Sequence, residues 1–543
     1  MHHARRRQRG SRDGRRDVAR TRPRPLTNCG NDLLEHILSD SMSRFLRAAR
    51  CAVGAVVLAS GAGDLALAAR GACGPRGDIA SLAQAAESEV AQRAAAAHGT
   101  ARPGATTPET GRSVAARERA RHVAAARFDS LAWPEGTERL AFENVEGIIL
   151  VTGTLRGGAR DTTGPLVLDT GAGHLALDHD LARLLGIAEA GGAARNAVEL
   201  ASRPLERLSL GARQRDLLSP VLTVDGAIVR AVTDRPVLGL IGQDCFAHEA
   251  LAIDYAAGRI ALVPIPAHGA AAGAARLAAE PRVRASRSRA ALAGVLGERA
   301  VAVPFDLAGD GKMLVRGRVS NPRPPARSAP LTLVLDTGAT KSVLFEPALE
   351  RRARHHRAWR AVRGLTAPTL FGEAPAALAR VPRLELEAVG GALACDDLDA
   401  AVMTSDLHSL LSRVVEREVD GLVGYSLLRR HRVVIDYPHR IAWLEPRADE
   451  WNDRPWEYSS PGFQLERRDG VPRVVAVALG SPAERAGARP GDVVVRVDGE
   501  DAAALDVVAL TRRLEGPPGT WIELVLRRDG VERTYRLERR ELL

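Results

Sequence analysis

The chain has 543 residues, 45% of them apolar, 26% charged and only 3% aromatic. That length accommodates about three or four domains, and the apolar share excludes a wholly disordered polymer. The net charge of +10 is concentrated at the start, where residues 1–41 carry ten Arg against five acids and residues 42–70 four against one. A basic nucleic-acid groove along the folded part is thereby excluded.

Residues 1–41 read as a basic disordered leader or a misassigned start. Met42 opens a clearer pattern: Arg44, Arg47 and Arg50, then an apolar run from Cys51, then Ala66-Leu67-Ala68 as a small-x-small cleavage site. Residues 42–68 therefore read as a signal peptide, and the location as periplasmic or secreted. The run is too short to span a bilayer comfortably, so no membrane span is expected after cleavage. Five scattered Cys form no CxxC pair, which excludes zinc ribbons and thioredoxin-type motifs. Cys73, Cys245 and Cys395 would remain after cleavage, an odd number that supports no disulfide framework. Every base is Arg except Lys312 and Lys341, and this reads as genome composition rather than function.

Residues 69–137 read as an Ala/Arg-rich linker region with a short helix over 80–97 and a flexible Gly/Pro/Thr stretch over 99–111. A second linker covers 266–298. The units between and after them share a repeat. Gly147-Ile-Ile-Leu-Val matches Gly311-Lys-Met-Leu-Val at an offset of 164. Leu166-Val-Leu-Asp-Thr-Gly-Ala172 matches Leu333-Val-Leu-Asp-Thr-Gly-Ala339 at 167. Gly239-Leu-Ile-Gly242 matches Gly421-Leu-Val-Gly424 at 182, as does Ile253-Asp-Tyr255 with Ile435-Asp-Tyr437. The blocks keep their order and the offset only grows. Residues 138–265 and 299–446 are thus expected to be two β lobes of one fold, built from short apolar runs bounded by Gly, Pro and Asp.

In each lobe Asp-Thr-Gly follows an apolar strand directly, which places it on the turn at the strand's end. There Gly allows a close amide approach, and a partly desolvated Asp acquires a shifted pKa. These residues resemble the retropepsin-like aspartic peptidases, which carry Asp-Thr-Gly-Ala after a strand and a hydrophobic-hydrophobic-Gly segment near the domain end. The resemblance implies a mainly β fold class: two tandem retropepsin-like lobes forming an intramolecular pseudo-dimer, followed by a small α+β domain. It implies Asp169 and Asp336 as the catalytic pair, supported by Thr170, Gly171, Thr337 and Gly338, with Gly242 and Gly424 closing the loops. Two adjacent carboxyls share one proton. One would take a proton from water and the other would donate to the oxyanion, so the implied enzyme is an aspartic endopeptidase needing no metal and no cofactor. Segments 189–203 and 363–374 are the candidate flaps. Neither carries the flap Tyr of pepsin-like enzymes, since Tyr occurs only at 255, 425, 437, 458 and 535.

Residues 458–543 form a separate module. Gly480-Ser-Pro-Ala-Glu-Arg-Ala-Gly487 and Arg489-Pro-Gly-Asp492, with strands over 474–477, 521–527 and 532–538 and a helix over 505–514, resemble a bacterial PDZ domain. The resemblance implies that Gly462, Phe463, Gln464 and Leu465 hold the C-terminus of a bound peptide. It also implies that Ser481-Pro482 caps a short helix. The expected partners are polypeptide substrates and peptide C-termini, without nucleic acid. The cluster His174, Asp178, His179 and Asp180 reads as surface polar residues that follow a loop, and the pair His355-His356 as part of a solvated face. Asp254 and Asp436 read as hairpin residues. The expected function is proteolysis of extracytoplasmic proteins, with the PDZ domain recruiting or regulating substrate. The alternatives are an inactive peptide-binding scaffold, an adaptor acting through the PDZ domain, and lobes paired between chains.

Overall fold

The computed structural model describes residues 108–158, 160–188, 198–215, 217, 220–266, 279–369, 372–447, 454–468 and 470–543. The leader, the signal peptide, Cys73 and the helix expected over 80–97 lie outside them. The architecture is mainly β, in two nine-stranded sheets, a six-stranded sheet and the C-terminal module read above as a PDZ domain.

The two nine-stranded sheets are built alike. In the first, the strand Arg160–Leu168 lies parallel to Gly239–Ile241, with Leu166 opposite Gly239 and Leu168 opposite Ile241. In the second, Leu331–Leu335 lies parallel to Gly421–Val423, with Leu333 opposite Gly421 and Leu335 opposite Val423. The Asp-Thr-Gly strand and the apolar-apolar-Gly strand of each repeat are therefore neighbours, although more than 70 residues separate them in sequence. Parallel neighbours require a long crossover, which is why the two blocks stand so far apart. The two apolar-apolar-Gly strands are buried along their length, and the Asp-Thr-Gly strands are buried over their last three residues, hence the Leu, Val and Ile content there.

The six-stranded sheet takes three strands from each repeat, in the order Glu138–Ala141, Arg259–Pro264, Glu249–Asp254, His431–Asp436, Ile441–Pro446 and Val301–Pro304. Its two central strands run antiparallel, and Ala252 lies opposite Val434. Those two residues are each other's repeat equivalents, so a pseudo-two-fold axis passes between them. The pairing of repeats within one chain is thus built into a continuous hydrogen-bonded sheet. Asp254 and Asp436 close the hairpins, accepting from Ala257 N and His439 N at 3.0 Å each.

Two segments read as linkers carry helices. Pro108–Asp129 is helical because Ala, Arg and Glu favour helix, and it ends on Phe128, buried against Trp133. Pro281–Ala291 is also helical and packs on the six-stranded sheet. Its Ser288 Oγ donates to Asp436 Oδ2 at 2.5 Å and accepts from Trp443 Nε1 at 2.8 Å. Arg284 reaches the carbonyl of His439 at 3.2 Å. Polar side chains at this spacing hid a helix that docks by hydrogen bonds rather than by an apolar stripe.

The PDZ domain forms a sheet in the order Phe463–Arg468, Val471–Val477, Val493–Val497, Trp521–Arg528 and Val531–Glu538, with the helix Val507–Leu514. Ser481 Oγ accepts from Glu484 N at 3.1 Å, which satisfies one free donor at the start of the helix Pro482–Arg485. Replacing Ser288 with Ala leaves buried Trp443 and Asp436 each short of a partner. The expected cost is about 1–3 kcal/mol, read as a lower urea midpoint followed by tryptophan fluorescence.

Candidate functional site

The two Asp-Thr-Gly turns meet at the pseudo-two-fold axis and hold each other through threonine. Thr170 N donates to Thr337 Oγ1 and Thr337 N donates to Thr170 Oγ1, both at 3.0 Å. Each hydroxyl then donates across to the other lobe: Thr337 to Leu168 O at 2.9 Å and Thr170 to Leu335 O at 3.4 Å. Four buried bonds thus fix one loop by the other.

Glycine follows because the loops touch. A Cβ on Gly171 would lie 2.5 Å from Asp336 Cγ, and one on Gly338 would lie 2.6 Å from Asp169 Cγ. Gly242 and Gly424 sit behind the loops, where a Cβ would stand 2.4 Å from His174 O and 2.3 Å from Lys341 O. None of the four positions has room for a methyl group.

Asp169 and Asp336 are both fully buried. Asp169 Oδ1 accepts from Gly171 N at 2.8 Å and Ala172 N at 3.1 Å, while Asp336 Oδ1 accepts from Gly338 N at 2.8 Å. The second oxygen of each carboxyl takes no bond from its loop. Burial raises the Asp169 carboxyl, opposed by a hydrogen bond with Asp336, by Lys312 and by the backbone N–H groups. Burial and then the charge of Asp169 push Asp336 well above the carboxylate range. Such a pair titrates as a unit that keeps one proton where isolated carboxyls have lost theirs. It can accept a proton at one oxygen and donate one at another.

The surroundings hold residues that sequence reasoning passed over. Lys312 lies under the first loop, its Nζ bonded to Gly171 O at 2.8 Å and Asp310 Oδ2 at 3.0 Å. Lys341, five residues past Asp336, bonds Glu457, Tyr458 OH at 2.9 Å and Asp399 at 3.3 Å. Arg429 joins Glu457 at 3.1 Å, and Arg454 bridges Glu146 of the first lobe to Glu515 of the PDZ domain. Despite its burial, Glu457 is held well below the carboxylate range by Lys341, Arg454 and Arg429. The signal available in the sequence was the singularity of the two lysines.

Lobe 2 and the PDZ domain meet along the hairpin formed by Ala361–Thr369 and Gly372–Ala388. This hairpin contains the second candidate flap, and residues 189–197 of the first lie outside the described residues. Gln464 Oε1 accepts from Thr366 N at 2.9 Å, and Gln464 Nε2 donates to Thr366 O at 3.1 Å. Leu479 N donates to Arg363 O at 2.8 Å, at a bulge where Gly364 adopts φ +82°. Gly462 N donates to Ser460 Oγ at 3.2 Å, and Phe463 and Leu465 are buried. A largely apolar cleft runs from Gln464 and Leu465 past Val362 and Leu365 to Thr340 and Lys341.

Other candidates are structural. Asp178 is not a surface residue: it is buried, accepts from Asp180 N and Leu181 N at the start of a helix, and bonds Arg230 at 2.7 Å. His174 is likewise buried, and His179 bonds Thr223 at 3.0 Å. His356 is buried beside Trp359 rather than solvated. Cys245 and Cys395 are buried free thiols, and burial raises both.

Residues 473–528 match the PDZ domain family. The chain resembles carboxy-terminal processing protease CtpA of Bacillus subtilis, 37% identical over 70 residues, covering 13% of this chain and 15% of the relative. It also resembles a probable CtpA-like serine protease of Staphylococcus haemolyticus, 28% identical over 78 residues, covering 14% and 16%. The chain thus spans about one sixth of the length of these curated relatives. Among solved structures, it resembles the PDZ domain of a carboxy-terminal protease from Vibrio cholerae in complex with peptide. That likeness has 20% identity and a TM-score of 0.14, and it covers 15% of this chain and 94% of that one. An aspartic proteinase from Irpex lacteus matches at 11% identity and a TM-score of 0.31, covering 58% of this chain and 98% of that one.

The curated relatives overturn the expectation of an aspartic endopeptidase. They are carboxy-terminal processing proteases, named as serine proteases where a type is given. The aspartic enzyme type and the retropepsin-like aspartic peptidase assignment are withdrawn with it.

Two outcomes follow from the charges. A carboxyl raised by folding binds its proton more tightly folded than unfolded, so its contribution is present at low pH and lost as pH rises through its folded pKa. Asp336→Asn is therefore expected to raise the melting temperature at pH 8 by about 2 °C or more, and to change it little at pH 4. Glu457 has the opposite sign, its contribution being lost as pH falls below the ordinary carboxylate range. Glu457→Gln should cost about 3 kcal/mol at pH 7, with the difference from the parent shrinking in acid, as read by chemical unfolding.

Proposed function

We propose that the chain is a PDZ-containing peptidase acting on polypeptides outside the cytoplasm. The observation that carries this reading is the PDZ domain, matched over residues 473–528, together with relatives named as carboxy-terminal processing proteases. PDZ domains take a peptide C-terminus as an added strand. The loop Gly462–Leu465 is assigned that docking role, with the cleft toward Lys341 as the path inward. Among the described residues no helix is long and apolar enough to cross a membrane.

Residues 138–265 and 299–446 are read as two retropepsin-like lobes by fold, paired within one chain. The continuous six-stranded sheet supports that pairing. Asp169 and Asp336 are assigned as the group that handles the proton at the site, with Thr170, Gly171, Thr337, Gly338, Gly242 and Gly424 as its scaffold. The buried, reciprocally braced loops support this assignment.

The test is cleavage of an unfolded polypeptide by the full chain, followed by mass spectrometry across pH 3–8. The substrate carries a free or an amidated C-terminus. Faster cleavage with the free end is expected, as is a changed pH dependence of turnover in Asp169→Asn and in Asp336→Asn. A pH dependence identical to the parent's in both variants would end the assignment of the carboxyl pair as the proton-handling group. Absence of cleavage at every pH would end the peptidase reading.

A further inference from the structure

Only two of the 543 residues are Lys, and both are buried against the loops that carry the carboxyl pair, Lys312 fully so. In a chain whose every other base is Arg, the fit of the site explains the exception. A compact ammonium with three donors occupies an enclosed space that a planar guanidinium does not match.

Lys312 also breaks the two-fold symmetry. Its repeat equivalent, in Gly147-Ile148 against Gly311-Lys312, is the buried Ile148. Lobe 2 therefore presents an ammonium to the first loop where lobe 1 presents an alkyl chain. The Lys312 Nζ bonds the Gly171 carbonyl, two residues past Asp169, and is balanced by the buried carboxylate of Asp310 at 3.0 Å. The Gly173 backbone is packed against Asp310, where a Cβ would stand 2.4 Å from Asp310 O. The turn at Asp310 and the first residue of the strand Lys312–Pro322 thus clamp the lobe 1 loop on both sides of Ala172.

We propose that Lys312 is a positioning residue that makes Asp169 the ionised member of the carboxyl pair and leaves the shared proton on Asp336. This deepens, and rests on, the assignment of the pair as the proton-handling group. Two N–H bonds to Asp169 Oδ1, against one to Asp336 Oδ1, act in the same sense. The other titratable groups facing the loops are His174, Asp244 and Cys245 behind the first, and Tyr255, Tyr425 and Tyr437 beneath both. Among these and the pair itself, Lys312 is the ammonium that both carboxyls feel.

The experiment is a carbon-13 carboxyl NMR titration of the full chain, as parent, Lys312→Met and Asp310→Asn, with turnover measured on the same samples. Lys312→Met is expected to tighten proton binding at the pair's first ionisation about tenfold. Asp310→Asn is expected to loosen it, because the ammonium then acts uncompensated. Opposite signs exclude simple loosening of the fold. A first ionisation that stays put in both variants, or moves the same way in both, overturns the proposal. If Lys312→Met does not fold, Asp310→Asn decides alone, and an unchanged or tighter proton overturns it. Titrations that move as expected in samples without peptidase activity uphold the role of Lys312 while ending the peptidase reading.

Discussion

The centre of this molecule depends on one reciprocal exchange, in which the hydroxyl of each motif threonine accepts the backbone N–H of the other. Neither loop is complete alone. The exchange brings the loops so close that each motif glycine lies against the opposite carboxyl. It thereby forces two acids into one desolvated space, and the raised affinity of that space for a proton follows from the geometry. The proton the pair retains lowers the cost of burying two acids together, and the surrounding scaffold carries the rest.

That scaffold is the six-stranded sheet. Pairing Ala252 with its own repeat equivalent, Val434, fixes the axis about which both halves are arranged. The buried Ser288–Asp436–Trp443 contacts hold a connecting helix beneath it. Symmetry at the backbone then meets asymmetry at the side chains: Lys312 against Ile148, and Lys341 tied to the segment that leads into the PDZ domain. The cluster of buried charges around Glu457 and Arg454 joins both lobes to that domain. Such a junction is intolerant of losing any one partner.

Much of this was legible in the sequence because it repeats. Two copies of Leu-Val-Leu-Asp-Thr-Gly-Ala and two apolar-apolar-Gly segments declared like lobes, and the parallel pairing of those blocks explains their spacing. The PDZ domain was legible from its turn glycines and Ser481-Pro482. The helix Pro281–Ala291 was not, because its docking side chains include Arg284 and Ser288, which carry no apolar period. Pro108–Asp129 was not, because it is rich in Ala and Arg and buries its one large apolar ring, Phe128, at its end. Lys312 and Lys341 were seen and set aside as composition, since a single buried cation leaves no pattern along the chain. The enzyme type expected from the motifs was the expectation that the relatives overturned. A tripeptide fixes a geometry, and the identity of an enzyme is a separate question.

The contact between Gln464 and Thr366 joins two sheet margins. Phe463–Arg468 is the outer strand of the PDZ sheet, and Ala361–Thr369 is the outer strand of the second lobe. Outer strands carry unpaired backbone groups that template aggregation unless they are covered. Here one amide side chain satisfies both the N–H and the C=O of Thr366, so the PDZ domain blunts the exposed margin of the lobe. Separating the two would uncover that margin on the lobe and leave it open to pairing with another strand.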